Sequence, residues 1–171
     1  VTGVQTCALP IYNVIFPIWL IMFFPPIILI TLIGNLVFDS LVLLACFHLF
    51  RLASLPMSFQ EFYKRSILKV WFFGLVADVV GAAILLMFVI LGDTLELPVE
   101  GISYDPFGHP ASVLLILLAM LVSGIIIFLL NDRITLAKII PDEGLRRKMA
   151  ITIAALTIPW TFLLPTKWFY H

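Results

Sequence analysis

The chain has 171 residues, 63% of them hydrophobic and 12% charged, with a mean hydropathy of +1.17. A water-soluble domain of this size carries roughly a quarter charged residues, so this composition excludes one and points to a lipid bilayer as the solvent. Ten basic residues balance ten acidic ones, and no basic cluster interleaved with aromatics marks the chain for nucleic acid.

Residues Val1–Ile11 read VTGVQTCALPI. This stretch is similar to the in-frame translation of a common sequencing adapter. It is small and polar, whereas the sequence after it turns abruptly rich in Ile and Phe, so it is expected to lie outside the fold. Cys7 falls within it and Cys46 falls inside an apolar stretch, which disfavours both a disulfide framework and a cysteine-based metal site. Residues 12–171 are read as one integral membrane domain.

Tyr12–Phe24 is apolar and aromatic, and the Pro25–Pro26 pair separates it from the next apolar run. Val14–Phe24 is therefore expected to be a short separate helix, either interfacial with Trp19 as anchor or re-entrant. Four spans are predicted after it, at about 26–50, 67–91, 112–130 and 149–164, with a kink at Pro159 in the last. Between them lie a polar loop, Leu52–Ser66, with a surface-lying amphipathic stretch FQEFYKR, a turn-rich loop at 92–111, and a basic loop at 131–148. The fold class is an all-α polytopic transmembrane bundle of four spans plus the short N-terminal helix.

Charge sets the expected orientation. Nine of the ten basic residues lie in 51–69 and 131–148, and the 92–111 loop has none. The positive-inside pattern puts both basic loops in the cytoplasm of a cell-membrane protein, and both termini and the 92–111 loop outside.

Asp39 and Asp78 sit deep in the first two spans. Asp39 precedes Phe50 by eleven residues and Asp78 follows Ile67 by eleven, so both lie about 16 Å from one membrane face. Asn35, four residues before Asp39, shares its face. Gly74 and Gly81, with Ala77 and Ala82, give the Asp78 helix a stripe that permits close helix approach. An ionisable group at this depth marks a functional site by default. Two neighbouring carboxylates repel, so the pair is expected to retain a proton or take up a cation. The structural reading gives each acid a hydrogen bond to Asn35, Ser40, Ser123 or Thr157 and no further role.

Other polar groups read more plainly. Asp93, Glu96, Glu100 and Asp105, with His109, form an acidic outer loop whose spacing fits no calcium loop. Asn131, Asp132 and Arg133 close the third span near Arg146, Arg147 and Lys148, in the manner of interfacial charges that set topology. His48 has no second ligand at helical spacing. The Gly-x-Gly-Asp, Gly-x-Ser-x-Gly and His-Glu-x-x-His signatures and phosphate-cradling glycine loops are absent, so no enzyme chemistry, cofactor or metal is assigned. The expected function is a small membrane protein of a transport or permeation system with Asp39, Asp78 and Asn35 as a proton- or cation-responsive site. The alternative is a structural or accessory membrane subunit. The lipid bilayer is the expected partner, and a homo-oligomer or a membrane partner subunit would help so small a unit enclose a path.

Overall fold

A computed structural model describes residues 17–52 and 57–169; the adapter-like Val1–Ile11 lies outside them. The described residues form helices and no strand, in the order α1 (Ile18–Ile21), α2 (Ile27–Leu49), α3 (Phe59–Ile90), α4 (Gly92–Leu95), α5 (Val99–Ser103), α6 (Pro110–Leu130) and α7 (Glu143–Thr157). Helix α3 packs between α2 and α6, and α7 closes against both α6 and α2.

Helix α2 begins directly after Pro26, and its end is fixed by Arg51, whose φ of 51° is left-handed. At 23 residues it is about 35 Å long, enough to cross a bilayer. Helix α3 is longer than expected. Its 32 residues begin at Phe59 because the Ser58 hydroxyl accepts a hydrogen bond from the Glu61 N–H at 3.3 Å. The FQEFYKR stretch is thus not a separate surface helix but the first turns of α3. Aromatic packing explains the difference: Phe59 meets Phe47 edge-on and Phe62 lies tilted against it, with ring centroids 5.3 and 5.8 Å away, and the Tyr63 and Ser40 hydroxyls meet at 2.8 Å. These contacts hold the stretch against α2, with its charged residues outward.

Helix α6 starts on Pro110, whose missing N–H leaves no helix bond unmade. It continues through a wider π turn, Asn131–Thr135, and a tighter 3-10 turn, Leu136–Lys138. Asp142 then caps α7 by accepting from the Leu145 N–H at 2.7 Å. Helix α7 ends at Thr157 instead of continuing through a kink to residue 164. Ile158, with ψ of 144°, is forced out of the helical region by the ring of Pro159. The chain goes on as short 3-10 turns at Trp160–Leu163 and Thr166–Trp168. At 15 residues, or about 22 Å, α7 alone is too short to span. Three helices, α2, α3 and α6 with its continuation, are long and apolar enough to cross a membrane.

Of the expected Val14–Phe24 helix, Val14–Phe16 lie outside the described residues. Between Pro17 and Pro25 there is room for one helical turn, α1. Trp19 is buried, and its Nε1 donates to the Ile102 carbonyl at 3.2 Å. The Ile18 N–H donates to Thr166 Oγ1 at 3.1 Å, so α1 and the last turns meet at one end of the bundle.

Two apolar cores fill the interior. One, at the end holding the basic loops, gathers Leu43, Phe62, Val70, Ile127 and Met149. The other, toward the 92–111 loop, gathers Trp19, Leu85, Ile116, Met120 and Phe162. Outward-facing Leu29, Ile30, Ile33, Leu68, Leu114 and Ile151 are exposed, which is the arrangement of helices solvated by lipid. The chain is a membrane protein by the length, apolarity and outward faces of these helices.

Candidate functional site: an acid pair at the seam of two cores

Asp39 lies twelve residues from the start of α2, and Asp78 twelve from the end of α3. These are the ends near the 92–111 loop, so both acids sit about 18 Å below the same end of the bundle. That level is the seam between the cores. On α3, Ala77 belongs to one core and Ala82 to the other, with Asp78 between. On α6 the seam holds Ser123, whose hydroxyl donates to the Ala77 carbonyl at 2.9 Å.

The structure brings Asn35, Asp39 and Asp78 to one cavity of about 230 Å³. Asn35 Nδ2 donates to Asp78 Oδ2 at 3.3 Å. Asp39 is 5% exposed, and among the described residues no hydrogen bond reaches its carboxylate. Its Oδ2 faces Gly74, where an added Cβ would stand 3.9 Å away. No lysine or arginine lines the cavity.

Three of the four side chains that sequence offers as structural partners are occupied elsewhere. Ser40 Oγ donates to the Leu36 carbonyl at 2.6 Å, Ser123 bonds Ala77, and Thr157 Oγ1 donates to the Ile153 carbonyl at 2.9 Å. The glycines divide their work. Gly74 fronts Asp39, whereas Gly81 lets Ser123 and Phe162 approach the α3 backbone.

Sequence reasoning misses the aromatic walls. Trp71, Phe38 and Trp160 line the cavity beside the acids. Trp71 stands seven residues, or two turns, before Asp78, so its shared face is readable from spacing alone. Trp160 stands three and four residues after Thr157 and Leu156, which also line the cavity, so spacing points to it as well, although the helix ends at Thr157. The Trp71 Nε1 donates to the Leu32 carbonyl at 3.0 Å, which fixes the indole.

The remaining polar groups are placed away from the acid pair. Glu96, Glu100, Asp105 and His109 line an outer pocket of about 650 Å³, but Asp105 is already paired with Lys167 at 2.6 Å. Among the described residues no three His, Cys, Asp or Glu side chains group closely enough to hold a metal. Arg146 is paired with Asp132 at 2.9 Å, and the ring of His48 stands edge-on to Phe47, with centroids 5.8 Å apart. No protein-family model, curated protein or solved structure matches the chain, so a functional reading rests on the chemistry of the site itself.

Proposed function

We propose that the chain is a small integral membrane protein of a transport or permeation system, with Asp39, Asp78 and Asn35 as its proton- or cation-responsive site. The observation that carries this reading is the shared cavity: two carboxylates, one of them without a hydrogen bond among the described residues, open to the same space at mid-depth in an apolar bundle. Two negative charges in such a place repel, and a proton or a cation relieves that repulsion.

The same reading takes the chain across the membrane four times. Helix α7 starts beside Asp132, bound through Arg146, and the segment after it ends beside Asp105, bound through Lys167. These tethers lie at opposite ends of the bundle, so α7 and the turns after Pro159 together make the fourth crossing. The basic loops face the cytoplasm of a cell membrane. A second copy or a partner subunit would complete the wall of a path.

Reconstitution tests the proposal. Proteoliposomes holding the wild-type chain should carry a proton or monovalent-cation flux, followed with an entrapped pH dye or a cation-selective electrode. Asp39→Asn and Asp78→Asn should abolish it while the protein still inserts and folds. The accessory-subunit reading draws on one observation, the Asn35–Asp78 hydrogen bond that ties α2 to α3. It takes over if the wild-type chain carries no flux and both Asn variants unfold as the wild type does, since membrane side-chain hydrogen bonds average only ~0.6 kcal/mol.

A further inference from the structure

Resting on the reading of Asp39 and Asp78 as a cation-responsive site, we propose that the cavity takes a small organic cation, a quaternary or protonated amine, in preference to a bare inorganic ion. The first argument is room. The cavity measures about 230 Å³, and a water molecule's share of liquid volume is about 30 Å³. There is space for a ligand of about seven heavy atoms, whereas a bare ion would leave most of the cavity to water.

The second argument is the lining. A hard inorganic cation wants six or more oxygens converging on it. Here the acids share the cavity with Trp71, Trp160 and Phe38, and aromatic faces attract ammonium groups best where water is excluded. The Trp71 N–H is held by the Leu32 carbonyl, so it does not compete for the carboxylates. Asn35 directs its amide at Asp78. Carboxylates with aromatic walls and no fixed cation of their own match a ligand that brings charge and apolar surface together.

The third argument is Asp39. It is 5% exposed, borders the cavity and receives no hydrogen bond among the described residues, so a ligand cation is the partner its carboxylate lacks. Trp160 is 57% exposed, so it stands where the cavity meets the outside of the bundle.

The test is calorimetric titration of the purified full chain in detergent with tetramethylammonium chloride, against sodium chloride at matched ionic strength. Saturable tetramethylammonium binding is expected, lost in Asp39→Asn and weakened about tenfold in Trp160→Leu. Trp160 makes no side-chain hydrogen bond among the described residues, and thermal unfolding checks that the variant folds. Trp71→Phe, which keeps a smaller ring, should weaken binding less and serves if Trp160→Leu does not fold. Absence of tetramethylammonium binding, with proton or sodium flux still dependent on Asp39 and Asp78, overturns this inference and leaves the proposed function standing. Absence of both binding and flux overturns both. Binding that is unchanged in both tryptophan variants overturns the aromatic site.

Discussion

Three glycines facing different surroundings make a graded test of how tightly the bundle is assembled. At Gly81 an added methyl would meet Phe162 Cε2 at 2.7 Å and run into the Ser123 hydroxyl. Neither neighbour can yield cheaply: Phe162 is buried, and Ser123 holds the Ala77 carbonyl. Overpacking of this kind costs about 1–3 kcal/mol. Loss of the Ser123 bond adds ~0.6 kcal/mol. The higher helix propensity of alanine offsets up to ~1 kcal/mol. Gly81→Ala should therefore destabilise by about 1–3 kcal/mol. Gly34 has nothing within 4 Å, so Gly34→Ala should be neutral or stabilising by up to ~1 kcal/mol. Gly74→Ala makes an ordinary contact with Asp39 at 3.9 Å, so it should fold normally while narrowing the acid cavity. Thermal unfolding in detergent reads all three. A Gly81→Ala protein as stable as the Gly34→Ala protein would refute the reasoning, because it would mean that α3 and α6 are not held at this distance.

Arg146→Ala should cost about 2–4 kcal/mol in detergent unfolding, because it strands Asp132 in a pair whose side chains are only 19% and 11% exposed, and adding Asp132→Asn should recover much of the loss. Among the described residues Ser66 Oγ and Thr135 Oγ1 are buried without partners, so Ser66→Ala and Thr135→Val should leave stability unchanged or raise it; a loss above ~1 kcal/mol in either would show the hydroxyl to be satisfied after all. In a background with Cys7 and Cys46 replaced by alanine, Lys138→Cys should resist membrane-impermeant maleimide in intact cells and react once the membrane is opened, and labelling from outside would reverse the proposed orientation.

The parts of the fold that are readable in the sequence are those governed by local chemistry. Helix α2 can be bounded to within a residue at each end because a proline pair starts it and a basic residue, Arg51, follows its end. The first turns of α3 read as a loop with a surface helix because Glu61, Lys64 and Arg65 dominate their composition. Yet Phe59, Phe62, Tyr63 and Ser66 already stand at helical spacing, and Phe62 and Ser66 are the ones buried. The end of α7 is also within reach. The rule that disfavours helix before proline applies at Ile158, but the apolar run from Met149 to Leu164 invites a full span.

The site divides along the same line. The common depth of Asp39 and Asp78 comes from counting along two helices joined by a short connection, so it needs no knowledge of packing. The cavity's aromatic half does need it. Trp160 borders the cavity because α7 packs against α2 and the turn after Pro159 keeps residue 160 beside Leu156 and Thr157, which line it too. A continuous helix would also put residue 160 on the face of Leu156 and Thr157, four and three positions before it. The packing of α7 on α2, and not the break at Pro159, is therefore what brings an indole to the acid pair. Pro159 shortens α7, whereas the contact between α7 and α2 supplies the Trp160 side of the cavity's aromatic wall.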